Sequence, residues 1–403
     1  MNILILHNKV PYPPKDGGAI AVWNMAVEMA KQQHRVTLLC MNTPKHYFPI
    51  EQLPTHLFPN IHVVAIDVDS SVKPFQLLCN FIFSSKAYHS VRFHSKIFKE
   101  KFIQLLQSEQ FDFILFEGLF VLPYINYIPK NINIYKVFRA HNIEHEIWQR
   151  VATNESNFIK KIYLQSLSRR LRVMETNFVN KVDLLLTLTS RDEEKFRLLG
   201  FKKLSFVSQA GIDISTIQVN RYKIKYPSIF FIGALDWLPN QEGLLWFIRN
   251  LWQDIHLLYP ELVLEIAGRN APHWLVKKLA EYSNILFYGE IDNAYNFMQE
   301  RAIMLVPIFS GSGMRIKIIE GMAWGKSILT TSIGTEGIDT THNKNIVIAD
   351  TAEQFKKELI KLLNDKDFFE RIGIQASLFV SEKYNIKNIV EKTIHFIEKA
   401  LST

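Results

Sequence analysis

Short apolar runs alternate along the first half of the chain with longer segments in which apolar positions recur every three or four residues. The apolar runs lie at residues 2–6, 36–40, 62–66, 113–116, 134–138 and 184–187. Runs of this length and composition are typical of strands buried on both faces of a parallel sheet. The longer segments, such as residues 19–33, predict helices. Strand and helix in alternation predict βαβ units and a doubly wound α/β domain.

The same alternation begins again near residue 229. Its apolar runs lie at residues 229–233, 262–267, 285–288, 302–307 and 327–330, and residues 241–257 predict a helix. The segment between the halves, VNRYKIKYPS, is polar, basic and proline-containing, which is typical of a linker. We therefore predict a Rossmann-like domain over residues 1–215, a linker over 216–228 and a second such domain over 229–375. A final helix within 376–403 is predicted to pack back on the first domain.

Composition excludes several classes of protein. The chain has 403 residues, 48% of them hydrophobic and 21% charged, which is enough for two cores and excludes extended disorder. No apolar run reaches the ~18 residues of a membrane span. The N-terminal apolar run lacks a basic segment before it and a small-residue cleavage site after it, so we interpret it as a strand. Two cysteines exclude a disulfide scaffold and suit a reducing cytosol, which predicts a cytoplasmic protein.

The positive charge is concentrated in the first half. Residues 1–205 hold 26 Lys and Arg against 17 Asp and Glu, whereas the remainder has a net charge of −1. Such asymmetry indicates an anionic partner, for example a lipid surface, a phosphorylated ligand or a nucleic acid. Residues 73–102 and 158–181 mix cations with apolar residues, which suits peripheral contact with an anionic membrane. The alternatives are a lysine-rich surface that aids solubility and apolar residues that face the core.

The most informative segment is VPIFSGSGMRIKIIEGMA, residues 306–323. A strand ends in a Gly/Ser loop, residues 311–314, and the loop opens a predicted amphipathic helix. Backbone N–H groups of such a loop and the helix N-terminus favour an anion, and Arg315 and Lys317 add two cations there. Glu320 would accept hydrogen bonds from sugar hydroxyls, ribose being the usual candidate. The alternative is an ordinary loop–helix junction with a Lys–Glu pair. The segment is not a Walker loop.

Two other motifs each allow a metal interpretation. FRAHNIEHE contains H-x-x-E-H, which on one helix could bind zinc, but a predicted strand leads directly into His141 and places it at a turn. A structural histidine and a functional one both remain open for His141. Asp67-Val68-Asp69 is a D-x-D triplet at a strand end without a second ligand in view, and we interpret it as a solvated turn.

The segment of residues 306–323 resembles the signature of family-4 glycosyltransferases of the GT-B fold, and most of all the subgroup reading roughly G-G-x-R-x-K-x-x-E-A-M-A. That subgroup is found in bacterial capsule, exopolysaccharide and lipopolysaccharide gene sets. Many relatives carry two glutamates eight residues apart; Glu320 matches the second, and Ser312 stands at the first. Residues 231–240, 211–213, 264–268 and 334–338 are also similar to family segments, although Ala210 stands where Asn often precedes Gly211. Gly17-Gly18 lies where the family has its phosphate-facing glycine loop.

The resemblance implies two Rossmann-like domains facing a cleft and a retaining transfer of sugar from a UDP- or GDP-sugar to a glycan or lipid-linked acceptor. It implies that Arg315, Lys317, the loop Gly311-Ser312-Gly313-Met314 and Gly17-Gly18 contact the donor diphosphate. Glu320 would hold the ribose, and Gly233 and Asn240 would belong to the donor side. His141 would face the transferred sugar and the acceptor hydroxyl. No metal and no other cofactor is expected.

Two rival functions remain at this point. A nucleotide-sugar epimerase of the same fold would bind the same donor, but no carboxylate pair placed for proton abstraction can be identified. A non-catalytic nucleic-acid-binding protein would explain the basic half, but the cations alternate with core-like apolar residues rather than with exposed aromatics. The glycosyltransferase interpretation therefore predicts no nucleic-acid partner.

Overall fold

The computed structural model describes residues 1–311 and 313–402 and divides the chain into two compact α/β units. The first unit comprises Met1–Gly211 and Ile386–Thr403, and the second comprises Ile212–Asn385. The predicted pair of doubly wound domains is confirmed. In the described part of the chain, no helix combines the length and apolarity that a membrane crossing requires.

The first unit contains seven strands and, before residue 212, seven α-helices among its described residues. The strands are β1 Asn2–His7, β2 Arg35–Asn42, β3 Ile61–Asp67, β4 Phe113–Glu117, β5 Tyr135–Ala140, β6 Leu184–Thr187 and β7 Leu204–Val207. The helices are α1 Gly17–Lys31, α2 Pro74–Phe83, α3 Tyr88–Val91, α4 Lys96–Ser108, α5 Glu144–Asn154, α6 Phe158–Val179 and α7 Ser190–Leu198. Short 3-10 helices occupy Pro44–His46, Ile50–Gln52, Thr55–Leu57 and Leu119–Tyr127.

The seven strands form one parallel sheet in the order β3-β2-β1-β4-β5-β6-β7. Its central strands β1, β4 and β6 are mainly apolar because both faces of the sheet are covered there. In β1, Leu4 and Leu6 pack into one core, and Ile3 and Ile5 pack into the core on the other face. The strand order reverses between β1 and β4, and it is at such a reversal that ligands bind beyond the carboxyl ends of the strands.

The second unit repeats this topology with six strands among its described residues. The strands are β8 Lys225–Ile232, β9 Leu264–Ala267, β10 Ile285–Phe287, β11 Arg301–Val306, β12 Ser327–Thr330 and β13 Val347–Ile348. The helices are α8 Leu238–Phe247, α9 Gln253–Leu258, α10 His273–Leu279, α11 Ala294–Gln299, α12 Ile316–Ala323, α13 Ala352–Asn364 and α14 Lys366–Lys383. Two 3-10 helices, Ile214–Thr216 and Arg221–Lys223, precede β8, and a π-helical turn, Ile248–Trp252, joins α8 to α9. The sheet is parallel in the order β10-β9-β8-β11-β12-β13, so its reversal lies between β8 and β11.

The last helix, α15 Ile386–Leu401, belongs to the first unit. Its apolar stripe packs on that unit's core, Phe396 stacks on Phe206 with ring centroids 5.1 Å apart, and the Tyr135 hydroxyl donates to the Ala400 carbonyl at 3.0 Å. The predicted C-terminal segment, 376–403, begins inside α14, which belongs to the second unit.

Other element bounds also differ from the prediction. Strand β8 begins at Lys225, inside the predicted linker, because Lys225 and Tyr226 continue a strand whose apolar part starts only at Ile229. The predicted helix 241–257 is α8, the π-helical turn and α9 in succession. Strands β7 and β13, of four and two residues, lie at sheet edges and were not predicted.

Candidate active site

In the first unit, three ionisable side chains meet at the carboxyl ends of neighbouring strands. His7 ends β1, Glu117 ends β4, and His141 directly follows β5. The strand register places His7 beside Glu117 and Glu117 beside Arg139 of β5. Gly118, with φ of +88°, turns the chain away immediately after Glu117, a backbone conformation that glycine adopts without strain. The reversal point of this sheet is therefore lined by a row of polar groups.

Glu117 is the centre of this row. Its carboxylate accepts a hydrogen bond from His141 Nε2 at 2.5 Å and another from Arg139 Nη1 at 3.3 Å, and Glu117 and Arg139 are fully buried. Burial alone would raise the pKa of Glu117, but the charge of Arg139 and the hydrogen bond from His141 lower it below its usual value. Because an ionised carboxylate can only accept, Nε2 of His141 carries a proton, and Glu117 thereby sets the orientation of the ring.

His7 contributes a neutral ring to the same cluster. Its Nδ1 donates to the Glu117 carbonyl at 3.1 Å, and its ring centroid lies 6.2 Å from that of His141. Burial, with a smaller contribution from Lys9, lowers the pKa of His7 to about 3. Nε2 of His7 is buried and has no hydrogen-bond partner among the residues that the structure describes. The ring is thus held uncharged beside His141.

A cavity of about 460 Å³ opens onto these side chains. Its lining includes four basic side chains, Lys9, Lys45, His46 and Arg92, together with polar groups such as Ser70, Ser71 and Asn142. Glu144 also lines it, and burial, followed by the neighbouring Glu175 carboxylate, raises the pKa of Glu144 to about 8. With Glu144 protonated, the cavity wall carries the lysine and arginine side chains beside the Glu117 carboxylate, whose charge Arg139 compensates, and this suits an anionic or hydroxyl-rich ligand.

The predicted glycine loop is the first turn of a helix. Gly17 and Gly18 are the first two residues of α1, and Asp16 caps this helix by accepting from Ala19 N at 3.0 Å. Lys9 Nζ pairs with the Asp16 carboxylate at 2.6 Å. Burial opposes ionisation, but Lys9 lowers the pKa of Asp16 to about 2. Gly18 lines the cavity, whereas the Asp16 carboxylate already occupies the N-terminus of α1.

In the second unit, the corresponding strand end opens helix α12. Gly311 and Gly313 have φ of +94° and +85°, and a Cβ at Gly311 would lie 3.1 Å from Trp237. The loop therefore depends on glycine here for both its backbone conformation and its close packing. Ser312 lies outside the described residues, and Met314 is partly buried in the same loop. Arg315 is the N-cap residue of α12 and is buried, and its Nη1 donates to the Gly313 carbonyl at 2.6 Å.

Lys317 lies in the first turn of α12 and is held against β8. Its Nζ donates to Asn240 Oδ1 at 2.7 Å and lies 4.8 Å from the centre of the Phe231 ring. Burial, followed by the positive charge of Arg315, lowers the pKa of Lys317 to about 7. Asn240 is held in turn by the Ala234 carbonyl at 2.9 Å, and a Cβ at Gly233 would lie 2.8 Å from its amide nitrogen. The structure thus brings Gly233, Asn240 and Lys317 into one contact.

Glu320 lies one turn further along α12. It accepts from the Tyr295 hydroxyl at 3.3 Å, and Tyr295 stacks on Trp324. Burial raises the pKa of Glu320 to about 7, against a smaller lowering by the Tyr295 hydrogen bond. Arg315, Lys317 and Glu320 thus line the start of α12, with Glu320 three residues after Lys317. This helix begins at the strand reversal of the second sheet.

The two motifs with a metal interpretation lie in different surroundings. Asp67 ends β3, and Asp69 is exposed and pairs with Lys73 at 2.9 Å and with Ser71. In H-x-x-E-H, His141 bonds Glu117, whereas His145 bonds Glu175 of α6, which also accepts from Glu144 N at 2.7 Å. Among the described residues, no group of three His, Cys, Asp or Glu side chains is placed to hold a metal ion.

The chain is similar to several known proteins. Residues 226–365 match the family model for "Glycosyl transferases group 1". The fold is similar to that of sucrose-phosphate synthase from Thermosynechococcus elongatus, with a TM-score of 0.73, 14% identity and 100% of each chain covered. It is also similar to Anabaena Alr3699/HepE, solved in complex with UDP and glucose, with a TM-score of 0.69, 13% identity and 99% of each chain covered. Together these findings support a GT-B glycosyltransferase.

The chain also has a relative of similar sequence. Over 293 residues, 24% are identical to an uncharacterized 44.6 kDa protein in the cps region of Klebsiella pneumoniae, covering 70% of this chain and 73% of that protein.

The two parallel sheets and the similar solved structures confirm the predicted GT-B fold with its two parallel-sheet domains.

Sequence reasoning missed Glu117, Arg139 and Tyr295. Glu117 ends the apolar strand FILFE, and Arg139 directly follows the apolar residues Val137 and Phe138 in YKVFRA. A charged residue next to a buried apolar run indicates that a partner must compensate its charge. The sequence did not indicate which partner. Tyr295 lies 25 residues before Glu320 with nothing in its local sequence to link the two.

Proposed function

We propose that the chain transfers a sugar from a nucleoside-diphosphate sugar to a hydroxyl of a glycan or glycolipid, with retention of configuration, in cell-surface polysaccharide biosynthesis. The observation that carries the proposal is the first turn of α12. There Arg315, Lys317 and the N-terminus of a helix provide positive charge at one strand end, with Glu320 one turn away. A diphosphate next to a ribose has the matching distribution of charge and hydroxyl groups.

Each group has a defined task in this proposal. Negative charge develops on the leaving diphosphate as the glycosidic bond breaks, and Arg315, Lys317 and the N–H groups near Gly313 stabilise it. Glu320 binds the nucleotide ribose, and Asn240 holds the Lys317 ammonium in place. His141, oriented by Glu117, positions the acceptor hydroxyl. Gly17 and Gly18 remain proposed as donor contacts. These charges suffice in principle to stabilise the leaving group, so we propose a metal-independent, hexosyltransferase-type reaction without a further cofactor.

The comparisons support the finer parts of the proposal to different degrees. A solved neighbour of the same fold binds UDP and glucose, which supports a UDP-sugar, with a GDP-sugar as the alternative. The relative in a cps region supports a role in polysaccharide synthesis. We further propose a cytoplasmic location and no nucleic-acid partner.

A thermal-shift screen against UDP, GDP, ADP, CMP and their sugars, with and without EDTA, tests donor binding. One nucleoside diphosphate and its sugars are expected to raise the melting temperature, because a ligand at 100 times its Kd adds about 2.7 kcal/mol of stability. The shift is expected to survive EDTA. Arg249→Ala, an exposed arginine of the second unit, serves as the control and is expected to shift as the wild type does.

Other outcomes of the screen are equally informative. A shift that requires a divalent cation would overturn metal independence, and the absence of any shift would overturn the donor site. The released product distinguishes a glycosyltransferase from the rival epimerase, because an epimerase returns an altered nucleotide sugar without any acceptor. A glycosyltransferase instead releases the nucleoside diphosphate.

Binding of UDP is expected to weaken as the pH rises from 8 to 9.5. In the free protein the Lys317 ammonium loses its proton near pH 7. A bound diphosphate favours the ammonium form, so Lys317 takes up a proton when UDP binds above that pH. The affinity is therefore expected to fall by up to about tenfold per pH unit. Glu320, with a pKa of about 7, is already ionised over this range. Titration calorimetry in two buffers of different ionisation enthalpy measures the uptake.

Lys317→Met is the matched variant for this pH series. It is expected to bind UDP more weakly at pH 8 and to lose the proton uptake. An unchanged uptake in Lys317→Met would assign the proton to another group.

A further inference from the structure

The surface of the first unit carries an apolar patch formed by α2 and the start of α6. Helix α2 contains no charged residue, and none of its residues is fully buried. Phe75, Leu78 and Ile82 are exposed and spaced three and four residues apart, so they form one stripe along the helix. Phe83, 84% exposed, ends it. An apolar stripe on a surface helix is usually buried against the core. Here the stripe faces water, which marks it as a candidate contact surface.

The start of α6 extends this patch. Phe158 and Ile159 are 75% and 78% exposed, and Ile162 is also exposed. Tyr163, one turn from Ile159, packs against Phe81 of α2 with ring centroids 5.6 Å apart. Arg170 fixes the two helices together by donating to the carbonyls of Asn80, at 3.1 Å, and Phe81, at 2.8 Å. These contacts hold the two helices of the patch together.

Lysines flank the apolar residues of both helices in the sequence. Lys73 and Lys86 lie before and after α2, and Lys160 and Lys161 lie in the first turn of α6. In the adjoining sequence Asp69 is paired with Lys73, and Glu155 accepts from Asn157 N. Exposed aromatic and aliphatic side chains flanked by lysines match the interface of an anionic bilayer, where rings enter the acyl boundary and ammonium groups meet lipid phosphates.

We propose that this patch docks the chain on the surface of an anionic lipid bilayer. The exposed apolar side chains together with the flanking lysines favour the surface of an anionic bilayer as the partner. The cavity next to His141 is lined by Ser70, Ser71 and Val72, which lead directly into α2. Docking through α2 therefore brings the cavity close to the lipid headgroups. Resting on the proposed function, this makes the acceptor a molecule held at the bilayer surface.

Sedimentation with sucrose-loaded vesicles tests the docking without any turnover. The full chain is expected to bind vesicles of phosphatidylcholine with 30% phosphatidylglycerol at least about tenfold more strongly than phosphatidylcholine alone. Phe75→Ser/Phe83→Ser removes two exposed rings, and Lys160→Ser/Lys161→Ser removes two cations. Each is expected to weaken binding by about tenfold or more. Leu198→Ser/Leu257→Ser, two leucines 76% and 73% exposed outside the patch, is the control and is expected to bind as the wild type does.

Several results would overturn the proposal. The first is that the wild-type chain does not sediment with anionic vesicles, and the second is that Phe75→Ser/Phe83→Ser binds them as well as the wild type does. The third is that the patch mediates dimers, in which case light scattering would show a wild-type dimer and a monomer for Phe75→Ser/Phe83→Ser. The UDP thermal shift of the same variants is expected to match the wild type. Failure of membrane docking is thus distinguishable from failure of the donor site.

Discussion

Replacing Arg315 with alanine is expected to lower kcat/KM for sugar transfer on the order of 100-fold or more, with the fold intact. The guanidinium is buried at the N-cap of α12, beside the Gly313 carbonyl and 5.2 Å from the centre of the Trp237 ring. A preorganised cation aimed at a leaving diphosphate acts mainly in the transition state, and removal of one such group typically costs 10²–10³-fold. The same loss is expected for Glu320→Ala, which removes the proposed ribose acceptor.

Steady-state kinetics with the donor found in the screen measure this effect. Arg249→Ala is the control and is expected to retain wild-type kinetics. Urea denaturation of each variant separates a catalytic loss from a folding defect. Wild-type rates in folded Arg315→Ala and Glu320→Ala would show that α12 does not hold the donor.

Replacing Glu117 with leucine is expected to lower the free energy of unfolding by about 3–5 kcal/mol, because it leaves the Arg139 guanidinium buried without a counter-charge. The double variant Glu117→Leu/Arg139→Met replaces the buried pair with apolar side chains. It is expected to recover much of the stability, since apolar replacement of a buried ion pair is often close to neutral. Urea titrations of the two variants measure the difference.

Activity is expected to follow a different course from stability. In the double variant His141 has lost its acceptor at Nε2, so the ring is no longer held, and misplacement of a positioning group costs about 10- to 100-fold. His141→Ala gives the rate that remains without the ring. If the double variant regained both stability and activity, the hydrogen bond from His141 to Glu117 would have no part in the reaction.

The proposed donor site was the part most accessible to sequence reasoning. Gly311, Gly313, Arg315, Lys317 and Glu320 all lie within ten residues, so one loop and one helix turn determine their relative placement. The 3.6-residue helical period places Lys317 and Glu320 on neighbouring positions of α12. Their proposed roles remain predictions. The placement of Gly17 and Gly18 in helix α1 rather than in a loop was not predicted, because the Asp16 cap was not recognised as a helix start.

The row of polar groups in the first sheet was not accessible in the same way. His7 and Glu117 lie more than 100 residues apart in the chain, and Glu117 and Arg139 lie more than 20 apart. These residues become neighbours only through the register of β1, β4 and β5. A shift of one residue in either pairing would turn Glu117 or Arg139 to the opposite face of the sheet. Apolar runs predict that these strands exist, but they do not specify which residue stands beside which.

Local sequence was therefore enough to specify the two doubly wound domains and the charged first turn of α12, because apolar period and helix geometry act over a few residues. Tertiary structure alone decided that Glu117 holds His141, that burial lowers the pKa of Lys317 to about 7, and that α2 exposes its apolar stripe. Each of these depends on which distant segments pack against a side chain and exclude water from it. Desolvation and pairing are properties of that packing and have no local signature.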